Sequence, residues 1–365
     1  MNPHEVWCPN LACPARGQAG QGNIGVHSQK EQRYRCRVCH KTFGARTGTI
    51  FQRRRTDAAR IILVITLVSW GCPLVALEHA FGLQPQTVRD WLEAAGVHAE
   101  AVHHAQVVQP RDLGQVQADE VRVKTQCGIV WMAMAMMVST RLWLGGVIST
   151  RRDQALITRL GSISAACAIV APLLLVVDGF TSYIEAFRRA FRTREHSGGL
   201  GAPRKVPWAD LTIGQVVKEY VGKRVVGVRR RLIQGTTATA VQLMAKTPGC
   251  LVLNTAYIER VNGTFRALLA PLARRTHHLV HRKEVLHAGM YLVGALYNFC
   301  TEHASLKLAS GQQQTPAMAA GLTDHCWSVG ELLWHRVPPP RWQPPKQRGR
   351  RSKAMRELIE RWAPA

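Results

Sequence analysis

Four cysteines near the start of the chain constrain its fold more than any other feature. They stand as Cys8-x4-Cys13 and, twenty-two residues later, Cys36-x2-Cys39. Two short-spaced thiol pairs on separate turns meet the needs of a tetrahedral zinc site, in which each turn presents two sulfurs about 2.3 Å from the ion. Local composition agrees. Pro9-Asn10 favours a turn, and Arg33-Tyr34-Arg35 reads as an edge strand entering the second pair. Residues 1–52 are therefore expected to form a zinc ribbon on Cys8, Cys13, Cys36 and Cys39, with the ion in a structural role. The first spacing is x4 rather than the commoner x2, and His40 beside Cys39 is an alternative ligand. The plain alternative is four unrelated reduced thiols. The remaining six of the ten cysteines are scattered, a pattern of a reducing cytosol rather than of a disulfide framework.

Charge narrows the partners. Among 365 residues, 48 Lys+Arg face 23 Asp+Glu, a formal net charge of +25. Such an excess favours a polyanion, because each neutralised phosphate releases condensed counterions. A membrane surface and a ribosome are the competing polyanions. With 46% hydrophobic residues the chain can bury a sizeable core. Residues 61–77 carry no charge, but they are too short for a span of about 20 apolar residues and are broken by Gly71-Cys72-Pro73. They are expected as core helices, with no membrane partner, in a cytoplasmic protein.

Residues 53–100 read as helices. Thr56-Asp57 offers a cap, a second helix is expected from about Pro73 to Phe81, and Gly82-Leu83-Gln84-Pro85 makes a sharp turn. The third helix, from about Gln86 to Ala95, places Val88, Trp91 and Leu92 inward and Gln86, Thr87 and Arg89 outward. This pattern is that of a helix-turn-helix whose last helix reaches DNA. An ordinary helical hairpin is the alternative.

Three regions carry acids in strand or helix contexts. Gln115–Val123 alternates as a strand around Asp119-Glu120, and two further strands are expected at 128–138 and 141–149. Ala168–Val177 is a continuous apolar run ending at Asp178, as a strand buried on both faces would be, with its acid just past the carboxyl end. Glu259, Asn262 and Arg266 share one face of a helix at i, i+3 and i+7. Asp119, Asp178 and Glu259 together could hold two divalent cations for an in-line phosphoryl displacement, and oxygen ligands suit Mg²⁺ or Mn²⁺. Singly, each has a duller role: Asp178 as a cap, Glu259 in an ion pair with Arg260, Asp119 as a surface acid.

The sequence resembles bacterial insertion-sequence transposases of the DDE type, in the insertion-sequence-one-like group with an N-terminal zinc ribbon and helix-turn-helix. The resemblance rests on Cys8-Pro9-Asn10…Cys13, Gln32-Arg33-Tyr34-Arg35-Cys36-x2-Cys39-x-Lys41-Thr42-Phe43, Arg46-Thr47-Gly48-Thr49, Asp119-Glu120, Asp178 and Tyr257-Ile258-Glu259-Arg260-x-Asn262. Asn298-Phe299-Cys300 and the Thr315–Leu322 segment extend it.

The resemblance implies an α/β RNase H-like catalytic domain over 112–335. Asp119, Asp178 and Glu259 would be its metal ligands, with Glu120 the rival for the first position. It implies cleavage at element ends followed by attack of the freed 3′-hydroxyls on target DNA, by a homo-oligomer on double-stranded DNA in the bacterial nucleoid. Asp178 and Glu259 stand far apart for a compact version of that core. Residues 192–250 are therefore expected as an inserted basic β-rich segment, with Lys223-Arg224 and Arg229, Arg230 and Arg231 on DNA, or as a solvated charged hairpin. Asn262 and Arg266 are expected to contact phosphates, and His277, His278 and His281 to lie on the surface or face DNA. Residues 336–365, Pro-rich and basic, are expected as a flexible phosphate-binding arm ending in a short helix, or as a purely solubilising tail. Two other functions stay open: a non-catalytic zinc-dependent DNA-binding regulator, and a metal-dependent nuclease that cuts without joining.

Overall fold

The computed structural model describes residues 2–195, 202–247, 249, 251–272, 279–308 and 310–363. The chain divides into two compact units, one of residues 1–60 with 333–365 and one of residues 61–332. The Gly-rich segment 197–201 and the residues His277 and His278 lie outside the described residues.

The smaller unit begins with an antiparallel sheet of β1 (Ile24–Ser28), β2 (Arg33–Cys36) and β3 (Thr42–Gly44). Alternation along β2 buries Tyr34 and Cys36 and turns Arg35 to solvent. Tyr34 pairs in register with Phe43, and their rings stack at 5.7 Å.

Three helices follow: α1 (Ala58–Ser69), α2 (Leu74–Phe81) and α3 (Pro85–Gln106). Asp57 Oδ2 accepts the Ala59 N–H at the start of α1. Gly82, at φ 59°, closes α2 in the left-handed conformation glycine adopts without strain. Pro85 then opens α3, where a missing N–H costs nothing. Helix α3 runs eleven residues past the expected stop at Ala95. Gly96 does not end it. A Cβ there would lie 2.3 Å from the Ala288 carbonyl oxygen, so the glycine permits a close helix crossing instead.

The larger unit is built on one six-stranded sheet. β4 (Gln115–Thr125), β5 (Gly128–Met137) and β6 (Trp143–Ser149) form an antiparallel meander. Helix α4 (Gln154–Ala166), started by Asp153 accepting the Leu156 N–H, leads to β7 (Leu173–Val177), which lies parallel to β4. Helix α5 (Ser182–Ala190) follows, then a small ribbon of β8 (Arg192–Glu195) and β9 (Arg204–Pro207). β10 (Leu211–Val221) runs parallel to β7 and antiparallel to β11 (Arg224–Gln234), giving the order β11-β10-β7-β4-β5-β6.

The expectation of an insertion over 192–250 is corrected here. Leu211 pairs with Leu173 and Gln215 with Val177, so β10 belongs to the main sheet. The physical reason is its first six residues, LTIGQV, all of them buried. The basic charge of this hairpin sits mostly on β11, which is largely exposed.

After α6 (Thr237–Ala245) come α7 (Ala256–Leu268), α8 (Lys283–Ala295), a π-helical turn at Leu296–Cys300, the pair β12 (His303–Lys307) and β13 (Gln313–Gln314), and the short helices α9 (Pro316–Ala319) and α10 (Val329–Trp334). β7 shows why the sheet is covered on both faces. Leu173, Leu175 and Val177 join the core that holds α4 and α5, while Leu174 and Val176 pack with Ala240, Leu243 and Met244 of α6. Each such side chain contributes roughly 1.5–3 kcal/mol of burial. A third core, with Val121, Val123, Ile258, Val261, Phe265 and Met290, packs α7 and α8 on the other face of β4. Among the described residues no helix is long and apolar enough to cross a membrane.

The tail returns to the smaller unit and is no free arm. Its helix α11 (Lys353–Trp362), capped by Ser352 on the Met355 N–H, buries Trp362 among Val6, Ile24 and Tyr34. Gln18 Nε2 donates to the Trp362 carbonyl at 2.8 Å, and Arg16 Nε to that of Pro340 at 2.7 Å. Trp362, with Trp342 and Leu358 also packed against this core, outweighs the solvating effect of the surrounding charge.

Candidate functional site

In the smaller unit the sulfurs of Cys8, Cys13, Cys36 and Cys39 all lie within 4.8 Å of one another. The closest pairs cross the two turns, Cys8 with Cys39 at 3.6 Å and Cys13 with Cys36 at 3.8 Å. A tetrahedron with zinc–sulfur bonds near 2.3 Å has edges of about 3.8 Å, so the spacing fits the ion. His40 is exposed, and the group is complete without it. This buried four-cysteine group fits structural zinc.

In the larger unit the sheet brings acids together. β4 and β7 are parallel neighbours with Gln117 opposite Val176, so Asp178, just past β7, comes beside the middle of β4. Oxygens of Asp119, Glu120 and Asp178 lie within 4.8 Å of one another. Strand alternation gives the two neighbours on β4 different environments. Glu120 faces α4 and α5, where Tyr183 Oη donates to its Oε2 at 2.6 Å and Arg152 Nε to its Oε1 at 2.6 Å. Asp119 faces α7, where Asn262 Nδ2 donates to its Oδ2 at 2.7 Å. Asp178 Oδ1 accepts the Phe180 N–H, which is the capping role, and its Oδ2 stands 3.5 Å from Arg152 Nη2.

Electrostatics make this an expensive cluster. Burial, then the neighbouring carboxylates of Glu120 and Asp178, pushes Asp119 up to about 7. Burial also raises Glu120, against the hydrogen bonds from Tyr183 and Arg152. A hard divalent cation offsets such repulsion, and an all-oxygen donor set suits Mg²⁺ or Mn²⁺. The acidic group thus fits a divalent metal.

Glu259 stands outside the group of three. Its Oε1 takes Lys218 Nζ at 2.6 Å and the Thr255 hydroxyl at 2.6 Å. Burial pulls its pKa up, but these two donors together hold it below the ordinary carboxylate range. Its ion-pair partner is Lys218 on β10, not the adjacent Arg260.

Several predicted contact residues sit differently from expectation. Asn262 is 2% exposed and bonded to Asp119, which leaves it no access to a phosphate. Arg266, on the same α7 stripe, is half-buried. Arg229 pairs with Glu219 across the hairpin, Arg230 donates to the Leu253 carbonyl and Arg231 to Gln215 Oε1, yet all three stay exposed. Gln86 and Arg89 are exposed on the first turns of α3, Thr87 is half-buried, and Gln86 donates to Asp90. His281 is exposed.

Sequence reasoning missed two residues that order the site. Gln117 Oε1 accepts the N–H groups of Tyr257 (3.1 Å) and Ile258 (3.0 Å), and its Nε2 donates to the Asn254 carbonyl at 2.6 Å. It therefore fastens the start of α7 to β4, two residues from Asp119. A buried glutamine on the same strand face as Asp119 was the available signal. Arg152 lies against the rings of Phe180 (4.3 Å) and Trp131 (5.1 Å) while bridging Glu120 and Asp178. Nothing in its sequence setting marks it.

No family model and no curated protein matches the chain. Among solved structures it matches a piggyBac transposase synaptic complex with hairpin DNA, determined by cryo-EM, at a TM-score of 0.38 and 10% identity, over 87% of this chain and 78% of that one. A likeness at that level assigns neither family nor activity.

Proposed function

We propose that this chain is a DDE-type DNA transposase with an RNase H-like core, in which Asp119, Asp178 and Glu259 hold Mg²⁺ or Mn²⁺. One observation carries the reading: Asp119 in the middle of the sheet's first strand meets Asp178 just past its fourth. The sheet supports it, since numbering β4, β5, β6, β7 and β10 as strands one to five gives the spatial order 3-2-1-4-5, with only the last two parallel to the first. Such an arrangement presents acids at the carboxyl end of a parallel pair.

Glu259 is preferred to Glu120 as the third ligand because of their partners. Arg152 and Tyr183 take both oxygens of Glu120, whose side chain is 1% exposed against 43% for that of Glu259. Glu259 commits only Oε1, and α7 is fastened to β4 by Gln117 and Asn262. Bound metal would activate the attacking water or 3′-hydroxyl and stabilise the leaving oxygen. The protein's own part is positioning. Asn262 fixes the Asp119 carboxylate, Arg152 and Tyr183 occupy the oxygens of Glu120, and Lys218 must yield Glu259.

Zinc on Cys8, Cys13, Cys36 and Cys39 is read as structural. Double-stranded DNA, element ends and target, is the proposed partner, reached by Gln86, Thr87 and Arg89 of a helix-turn-helix and by Arg229, Arg230 and Arg231. The chain would act as a homo-oligomer in the bacterial cytoplasm, on the nucleoid. The test is to supply DNA with a pre-cut 3′-hydroxyl end and Mg²⁺. Joined products support the transposase, cleavage without joining identifies a nuclease, and binding without either identifies a regulator.

A further inference from the structure

Behind α7 lies a second polar site that the acidic cluster does not use. Tyr257, Arg260, Val261 and Thr264 occupy one face of this helix, and Glu259, Asn262 and Arg266 the opposite one. The first face lines a surface cavity of about 90 Å³, closed by Arg141, Tyr297, His303 and Ser305. Arg141, in the β5–β6 turn, is 9% exposed, and its guanidinium lies 3.9 Å over the Tyr257 ring. One of its nitrogens donates to the Val138 carbonyl. Its φ of 60° is a left-handed backbone that an arginine adopts only at a cost. Among the described residues neither Arg141 nor Arg260 has a carboxylate within 4.0 Å. His303 sits edge-on to Tyr297 at 5.3 Å, and burial, then Arg260 and Arg141, lowers its pKa.

The largely buried Arg141 guanidinium, with no acid beside it and the exposed Arg260 lining the same cavity, is costly unless an anion joins it. The planar forks of arginine match a phosphate, and a neutral imidazole and the Ser305 hydroxyl add donors. We propose that this cavity is an anion site for one phosphate group, held by Arg141, Arg260, His303 and Ser305. The source is a backbone phosphodiester of bound DNA or free phosphate. Only the DNA source rests on the transposase reading.

Two variants probe it. Arg260→Gln changes an exposed side chain, and Arg141→Gly removes the guanidinium while suiting the left-handed backbone. The zinc-loaded full chain is titrated with inorganic phosphate against sodium chloride at equal ionic strength, following the melting temperature. A saturable rise specific to phosphate, lost in both variants, is expected. Duplex affinity, measured by fluorescence anisotropy across a salt series, should fall about 5–20-fold in each variant, with the slope of log affinity against log salt shallower by about one. A phosphate response without any change in duplex binding would keep the anion site and reject DNA as its source. Equal responses to phosphate and chloride, with duplex affinity unchanged in Arg260→Gln, would overturn the proposal. Loss of metal-dependent cleavage plays no part in these readouts, so failure of the catalytic reading would remain distinguishable.

Discussion

Asn262 Nδ2 donates to Asp119 Oδ2 across 2.7 Å, joining helix α7 to the middle strand of the sheet at the residue where the acids meet. The amide is buried, and its Oδ1 has no partner among the described residues. Asn262 thus serves the carboxylate alone, where the sequence had pointed outward to DNA. A hydrogen bond to a charged group is worth about 1.5–3 kcal/mol. Asn262→Ala should reduce metal-dependent cleavage about 10–100-fold and weaken Mg²⁺ activation, while duplex binding stays within about twofold. Single-turnover kinetics across a Mg²⁺ series would show it, and loss of duplex binding with unchanged Mg²⁺ response would restore the DNA-contact role.

The four-cysteine group should make the smaller unit depend on metal. Elemental analysis is expected to find one zinc per chain. Cys36→Ser should lose that zinc and melt the ribbon, because metal-binding free energy in such a site is folding free energy. The unit of residues 61–332 should keep its own unfolding transition. A ribbon that stays folded after exhaustive chelation would refute the assignment.

The tail makes a separate prediction. Trp362 is 4% exposed in the ribbon's core, and emptying such a site costs about 3–5 kcal/mol. Trp362→Ala should release residues 336–363 to rapid proteolysis and speed zinc loss to a chelator. A protease pattern like that of the wild type would contradict this packing.

Much of this was legible in residue order. The cysteine spacing marked the thiol cluster, and the apolar run before Asp178 marked a strand buried on both faces. Less legible were features set by contacts distant in sequence. Helix α3 continues through Gly96 because Ala288 crosses there, β10 joins the main sheet because its first half is apolar, and Trp362 draws a basic tail inward. The engagement of Glu120 by Arg152 and Tyr183, and of Glu259 by Lys218, depends on β4, β10, α5, α7 and the loop after β6 meeting. No local pattern encodes that.

Acid stability offers a test of the core. His103 is fully buried between Trp143 and Tyr291, and its Nε2 lies 3.0 Å from the Leu144 carbonyl, which fixes the Nε2–H tautomer of the neutral ring that burial favours. Burial lowers its pKa to about 3, with His104 and Arg111 adding to the effect and the Leu144 carbonyl and Glu100 opposing it. The unfolded chain, with an ordinary pKa near 6.5, therefore binds the extra proton between these values. Stability from this residue is complete above about pH 6.5 and is lost as pH falls towards 3, by an amount of order a few kcal/mol. Urea midpoints measured from pH 7 to 4 should fall, and His103→Leu should flatten that slope by about one proton. An unchanged slope in the variant would show that other groups govern the acid response.

If Asp178 is a metal ligand, Mg²⁺-dependent cleavage of DNA flanking the gene should fail in Asp178→Asn. This nearly isosteric change keeps an oxygen for the Phe180 N–H and removes the charge. Asp178→Asn should keep wild-type duplex affinity and a melting temperature within a few degrees, with cleavage reduced by at least about a thousandfold. Cleavage within tenfold of wild type in this folded, DNA-bound variant would contradict metal ligation by Asp178.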